Sequence, residues 1–392
     1  MSVMTDFTSS PVSLLAESYQ LGDRNRGDGC PGALKMHEAK DGGIGRVRVA
    51  GGQMSPERWE ALADMADRFG DGNIHVTTRG NLQVRGIQDT AAFAEAAQEH
   101  GFLPSRAHDR VRNIIASPLA PELLPLVAEL DAALLADDVV TGLSGRTLFG
   151  LDSGVGDIVS RRPDFGVFAH DGGFQLVLGG VFVARRVERG DVAATLVQAA
   201  RRWQELRGSA WRVAEKPEVH GEIIASLDAA VEVAEVPFVG AVPGRPVGWL
   251  PQSDGLVSLG AGVRFGQLSS QLARMIAVTG ARTTVTPWHS IVLHDVDEHA
   301  AEQIVRVLAP LGLIFDANST WLRVSACTGI EGCEKSLSDT RGDAAQAVAS
   351  LDIPQGKVHF SGCERRCGHP LESYTDYLAT GDGEYEGAAR ER

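Results

Sequence analysis

Arg46–Gly86 reads RVRVAGGQMSPERWEALADMADRFGDGNIHVTTRGNLQVRG, and Val257–Asp295 reads VSLGAGVRFGQLSSQLARMIAVTGARTTVTPWHSIVLHD. Both stretches spell a short apolar strand, a glycine turn, an amphipathic helix, then two strands parted by a turn. In the first, Ser55 is a suitable N-cap and Pro56 fits the first helical position. Trp59, Leu62, Ala63, Ala66 and Phe69 fall on one helical face. In the second, Leu268, Leu272, Met275 and Ile276 repeat that stripe, and Gly280 ends the helix. Ile74–Thr78 and Leu82–Arg85 are short and rich in β-branched residues, as strands are. Identity between the copies is low. The shared element order and the segments VTTRGNLQV and VTPWHSIVL carry the equivalence, which predicts pseudo-twofold character.

Working outward, Glu122–Leu135 and Val192–Leu206 read as helices. Asp164–Phe168, Phe174–Leu178 and Val181–Ala184 read as strands, with a hairpin turn at Asp171-Gly172-Gly173. Residues 207–245 read as a connector with a helix at about Ile223–Val233. Further helices are predicted at Glu298–Leu308 and about Gly342–Leu351. The chain is therefore expected to be α+β. Repeated modules at 25–90 and 240–312 alternate with α/β units at 105–235 and 318–392.

Four of the five cysteines, Cys327, Cys333, Cys363 and Cys367, lie close together near the C-terminus. Their spacing is Cys-x5-Cys, then Cys-x3-Cys. Thiolates ligate iron–sulfur clusters, and four complete a 4Fe–4S cubane. Small residues in Cys327-Thr328-Gly329 and Ser361-Gly362-Cys363 let the backbone bend around sulfur. A structural zinc site favours tighter pairs, which the x5 gap disfavours. Cys30 reads as an ordinary buried thiol in a turn.

The formal net charge of −14 argues against nucleic acid and against an anionic membrane surface as partners. No apolar run reaches the roughly 18 residues of a membrane span. Met1–Gly29 lacks the pattern of a signal peptide, so a cytoplasmic protein is expected. Gly260-x-Gly262 with Gly266 only faintly suggests a dinucleotide loop, and no βαβ unit surrounds it. No nucleotide or flavin site is expected.

The cysteine spacing together with the repeat resembles the sirohaem-dependent sulfite and nitrite reductase family. The resemblance runs from about Cys30 to Gly381. It implies two ferredoxin-like half-domains alternating with two α/β domains, and a 4Fe–4S cluster beside a tetrapyrrole. In reductases the last cysteine of the motif, here Cys367, bridges the cluster to sirohaem iron. Several segments look like a subgroup of oxygenases that act on a tetrapyrrole in aerobic cobalamin synthesis. They are Cys30-Pro31-Gly32, Val49-Ala50-Gly51-Gly52, Thr78 to Gly86, Thr286-Pro287-Trp288 and Ser361 to Pro370. Asp152-Ser153-Gly154 also fits. Sulfite reductases carry a loop with two lysines facing the anion. Here the corresponding stretch is Leu143-Ser144-Gly145-Arg146-Thr147-Leu148, which keeps one cation, Arg146, and places Leu148 at the second position. A small oxyanion needs convergent positive charge, so this departure favours a bulky organic substrate.

For that subgroup the resemblance implies a monooxygenase converting precorrin-3A by C20 hydroxylation with closure of a γ-lactone. Dioxygen is the co-substrate, and a ferredoxin or NADH-linked reductase is the donor. A mononuclear non-haem iron is associated with the subgroup, and such iron typically takes two histidines and a carboxylate. His37, His75, His170, His289, His294 and His369 lie in or near motifs, but no compact pattern assigns ligands. The reductase alternative would bind sirohaem. A monomer is expected. Arginine grips carboxylates bidentately, and Arg48, Arg112 and Arg146 are the candidate catalytic residues. Arg48, Arg79, Asn81, Gln83, Arg85 and Arg112 are the candidate tetrapyrrole contacts. Arg79, Asn81, Gln83 and Arg85 share a face if their strand is unbroken. Each of these arginines also has a plain reading as a salt-bridged surface residue. His289 stands where the first module has Gly80, and Trp288, where it has Arg79, reads as core.

Overall fold

A computed structural model describes residues 27–391 apart from 229–231, 234, 236, 238, 240, 241 and 243. The expectation for residues 1–26 lies outside the described residues. The protein is α+β and divides into two compact units. One holds Arg110–Val242 with the segment ending at Cys30; the other holds Pro31–Asp109 and Pro243–Arg392. No helix among the described residues is long and apolar enough to cross a membrane.

The repeat is real, and its halves exchange strands. In the first module Gly42–Val47 pairs antiparallel with Leu82–Ile87, which pairs with Asn73–Val76. In the second, Val257–Val263 pairs with Ser290–Val296, which pairs with Thr283–Thr286. Each module then lends a short strand to the other's sheet. Gln53–Met54 joins Thr283–Thr284, and Gln267–Ser269 joins Asn73–His75. The chain crosses over at Ala50–Gly52 and at Arg264–Gly266, single 3-10 turns in which Gly51 (φ 59°) and Phe265 (φ 52°) adopt the left-handed conformation. At Gly52 a Cβ would lie 2.0 Å from the Val285 carbonyl oxygen, so this crossover admits only glycine.

The helices Pro56–Phe69 and Ser270–Val278 carry the predicted stripes, except that Leu268 falls on the strand Gln267–Ser269 before the second helix; the Ser55 and Ser269 hydroxyls cap them. Their apolar faces share one core with both sheets. Trp59 donates from Nε1 to Thr283 Oγ1 at 2.7 Å, which satisfies the indole inside that core. Gly80 (φ 63°) and His289 (φ 53°) occupy equivalent left-handed turn positions. Trp288 sits on that turn and is half-buried, so the core expectation is corrected: a turn residue has no second layer to cover it. Gly260 and Gly262 lie on a strand rather than a loop. They are small because Pro246 and Leu322 press against them.

A polar layer interrupts this core. His294 is 6% exposed, with Nε2 2.8 Å from Thr284 Oγ1 and Nδ1 3.4 Å from Ser258 Oγ. Burial, reinforced by Arg282 and opposed by Asp295, pushes its pKa down to about 4. The unfolded chain therefore binds a proton that the folded chain refuses between pH 6.5 and 4. Stability is full above pH 6.5 and falls by roughly 3 kcal/mol on acidification to pH 4. Urea titrations at pH 7.5 and 4.5 should show this loss, and His294→Gln should shrink it. An equal loss in the variant would remove His294 as the cause.

The other unit has a six-stranded sheet. Ile114–Ala116, Phe149–Asp152 and Phe165–His170 run parallel; Gly173–Leu178 and Val181–Val187 return antiparallel. The hairpin turn stands at Asp171 and Gly172, both at positive φ. Helices Leu124–Leu135 and Val192–Leu206 form as predicted. The connector helix is shorter than expected, His220–Ala225, and residues 229–231 of the expected span are outside the described residues.

Candidate functional site

Val324–Ala326, Lys357–Ser361 and Tyr374–Gly381 form a parallel sheet, with Glu384–Arg390 antiparallel at its edge. Parallel pairing brings the C-terminal ends of the first two strands side by side. Cys327 follows one end and Cys363 the other, and the Cys327 amide donates to Phe360 O at 3.0 Å. Cys333 and Cys367 lie on the turns that follow. Ser336 N donates to Cys333 O at 3.2 Å, and Arg366 N donates to Cys363 O at 3.1 Å. Arg366 (φ 47°) and Gly368 (φ 84°) tighten the turn around Cys367. A Cβ on Gly362 would strike the Ser336 hydroxyl at 1.9 Å, which explains the Ser-Gly-Cys sequence.

The four cysteines lie on the two turns that leave the ends of these neighbouring strands. Partial burial, then the nearby Cys327, Cys363 and Cys333, push the Cys367 thiol above its ordinary value. Gly362 N donates to Cys327 Sγ at 3.2 Å, and Thr340 Oγ1 lies 3.4 Å from the same sulfur. A donor such as the Gly362 amide stabilises a thiolate ligand and tunes what it binds. Among the described residues no three His, Cys, Asp or Glu side chains converge on one metal ion. A single zinc would require such convergence. A cubane does not, because each thiolate binds a different iron. These residues fit a 4Fe–4S cluster.

The loop between Cys327 and Cys333 is held from the first module. Arg85 is buried, makes two 3.0 Å contacts with Asp41, and donates to Gly332 O at 2.8 Å. Lys40 Nζ donates to Ile330 O at 2.9 Å. Gln83 accepts from Arg46, its direct neighbour across the strand pair, at 3.0 Å. The four-residue face expected for Arg79, Asn81, Gln83 and Arg85 does not form. The Gly80 amide bonds back to Thr77 O at 3.0 Å and breaks the strand. Arg79 therefore sits on the turn, and Asn81 is fully buried with its Oδ1 accepting from Val49 N at 3.3 Å. Only Gln83 and Arg85 keep the period-two relation.

Arg48 is 2% exposed and donates to Asp109 O at 2.8 Å and Pro31 O at 3.2 Å. It thereby ties together the two ends of the 31–109 segment. Arg48→Met would strand two buried carbonyls, so a loss of about 3 kcal/mol is expected in urea unfolding. A change below about 0.5 kcal/mol would refute this structural role.

In the other unit Arg112 meets Asp131 in a bidentate pair at 2.7 and 2.6 Å. Arg146 lies 3.4 Å from Asp28 and stacks over the Trp211 ring at 4.7 Å. Asp28 also accepts from Ser144 Oγ at 2.8 Å and Gly145 N at 2.7 Å, fixing the loop that carries Arg146. Leu148 is 3% exposed, part of the core. Cys30 is buried and donates to Gly145 O at 3.0 Å, in keeping with an unreactive thiol.

Sequence reasoning missed Asp28, Lys40, Asp41, Arg46 and Arg341. Only Arg341 left a signal, a cation at the start of a helix between the cysteine pairs.

Residues 37–100 match the nitrite/sulfite reductase ferredoxin-like half domain. The structure of the Mycobacterium tuberculosis NirA protein shares the fold. Its TM-score is 0.66 over 88% of this chain and 73% of that one, at 20% identity. Through that segment and its curated relatives the chain is similar to the nitrite and sulfite reductases. Among curated relatives it is similar to precorrin-3B synthase of Sinorhizobium sp., at 26% identity over 94% of this chain and 84% of that protein. It is also similar to the ferredoxin–nitrite reductase of Synechococcus elongatus, at 27% identity over 83% of this chain and 74% of the relative.

Proposed function

We propose that this protein is an oxygen-dependent monooxygenase that converts precorrin-3A to precorrin-3B. The observation that carries the reading is the Leu143–Leu148 loop. Sulfite reductases present two cations there. Here the second position is a core leucine, and the first, Arg146, is engaged by Asp28 and Trp211. Such a loop offers little convergent charge to a small oxyanion. The likeness to precorrin-3B synthase over nearly the whole of this chain supports the same reading.

One atom of dioxygen enters the macrocycle at C20, with the ring A acetate closing a γ-lactone. The other leaves as water, with two electrons and two protons from an external donor, a ferredoxin or an NADH-linked reductase. Cys327, Cys333, Cys363 and Cys367 would hold the 4Fe–4S cluster, which supplies single-electron transfer when bound. Arginines at family positions, Arg48, Arg79 and Arg112 first among them, would meet the carboxylate rim of the substrate and fix its orientation. All three are already engaged, Arg48 with backbone carbonyls and Arg112 with Asp131 among them. Contact with substrate therefore requires exchange of those partners or use of donors they leave over. The mononuclear iron of the oxygenase subgroup is given no ligands, because no three-ligand set converges among the described residues.

The second reading is a sirohaem-dependent nitrite or sulfite reductase, favoured by the likeness to ferredoxin–nitrite reductase. Anaerobically purified protein supplied with precorrin-3A, reductant and isotopically labelled dioxygen should yield a product one labelled oxygen heavier. A sirohaem spectrum with turnover of nitrite or sulfite, and no oxygen insertion, would decide for the reductase.

A further inference from the structure

Arg341 occupies the first turn of the helix Thr340–Ala349, after the Asp339 cap. A cation there opposes the helix dipole, which favours negative charge at that end. Its Nη1 donates to Gln267 Oε1, while its Nε is buried with no hydrogen-bond acceptor. Thr340, one residue earlier, pins this helix to the cysteine site by donating to Cys327 O at 3.0 Å.

The surroundings add positive charge. Burial, then the nearby Arg85, push the Arg341 pKa down, and the Cys327 thiolate pulls it back, with Asp71 and Asp339 contributing less. Arg85 itself is 8% exposed and anchored to Gly332, the neighbour of Cys333. Buried His75 reports the same field. Burial lowers its pKa against the pull of Asp71, and Arg341 and Arg85 push it the same way. Asp41 neutralises Arg85. Nothing among the described residues makes an ion pair with Arg341.

Arg85 has Asp41 facing it, whereas the buried part of the Arg341 guanidinium has no carboxylate on it, and burying such a charge is costly unless a negative charge faces it. A thiolate-ligated cluster carries such a charge, and gains one more negative unit on one-electron reduction. The net charge around a cluster is one of the levers that set its potential. A poorly screened cation favours the more negative state.

We propose that Arg341, backed by Arg85, sets the reduction potential of the cluster held by Cys327, Cys333, Cys363 and Cys367, raising it so that the cluster accepts an electron from a weaker donor. This rests on the cluster reading and not on the identity of the tetrapyrrole substrate.

The test is an anaerobic redox titration of reconstituted full-length protein with dithionite, followed by the EPR signal of the reduced cluster. Arg341→Gln should lower the midpoint so that the reduced form is disfavoured at least tenfold, 59 mV for a one-electron couple. Arg341→Lys should restore most of the shift. Gln267→Glu, which sets a carboxylate on Arg341 while keeping the arginine, should lower the midpoint in the same direction and keeps the test open if Arg341→Gln loses its cluster. Unchanged midpoints in the Gln and Glu variants, with normal iron and sulfide content, would overturn the proposal. Wild-type protein that takes up no iron or sulfide would instead overturn the cluster reading beneath it.

Discussion

Cys363→Ser is expected to reduce bound iron and sulfide to background while leaving the fold intact. Serine's hydroxyl ionises far less readily than a thiol, so it replaces a thiolate ligand poorly. The turn around residue 363 is held by backbone, since the Cys363 carbonyl accepts from Arg366 N and its side chain is only partly buried. The cluster-free variant should therefore unfold within about 0.5 kcal/mol of cluster-free wild type. On the function proposed above, oxygen insertion should disappear with the brown absorbance, because the external donor would have no route for single electrons. Cys30→Ser is the matched control. Its hydroxyl can donate to Gly145 O as the thiol does, and iron, sulfide and absorbance should stay at wild-type levels. Retention of a full cluster by Cys363→Ser would remove Cys363 from the ligand set. Loss of the cluster in Cys30→Ser would show that the fifth cysteine had been misread.

How legible these features were in the sequence depends on the range of the interaction. Val192–Leu206 and Glu298–Leu308 form over the spans their periodicity gives, because a helix is fixed by neighbours three and four residues away. Thr90–Glu99 escaped notice because its buried face is only Phe93, Ala94 and Ala97, too slight a stripe among alanines. The edge strand Glu384–Arg390 escaped because it is largely exposed and shows no burial alternation. The repeat could be read, but its strand exchange could not. Pairing of Gln53–Met54 with Thr283–Thr284 spans some 230 residues, and two-residue strands carry no pattern. The cysteines were the clearest chemistry because a cluster demands one residue type at set spacing. The arginines were less so. A motif position locates the backbone, while the partner of the guanidinium is chosen by the tertiary fold. Arg112 found Asp131, Arg85 found Asp41 and Arg146 found Asp28, none recognisable as a partner in advance.

Asp152, the last residue of the strand Phe149–Asp152, and Asp157, five residues on, should respond to substitution with opposite signs. Asp152 is fully buried, and its carboxylate accepts four backbone amides. Gly154 N and Gly156 N reach Oδ1 at 2.9 Å each; Ile158 N and Val159 N reach Oδ2 at 2.8 and 2.9 Å. The loop folds around this one side chain, which gives Asp152-Ser153-Gly154 a structural reason to exist. Asp152→Ala leaves several buried donors unmet, and Asp152→Asn turns an amide group toward two of them. Each should cost on the order of 4 kcal/mol. Asp157 has the reverse character. Burial, opposed by the 2.6 Å hydrogen bond from Ser117 and reinforced by Asp152, raises its pKa to about 6. A carboxyl whose folded pKa exceeds its unfolded value is stabilising only while protonated. Stability is thus lost as pH rises from about 4 to 6 and stays lost above, by up to roughly 3 kcal/mol. Asp157→Asn keeps an acceptor for Ser117 and removes the charge. It should therefore raise the unfolding midpoint at pH 8 and leave it unchanged at pH 3.5. Urea titrations of both variants at the two pH values test the pair. A stabilised Asp152→Asn, or an Asp157→Asn gain equal at both pH values, would contradict the argument that a buried carboxylate is stabilising only where enough donors meet it.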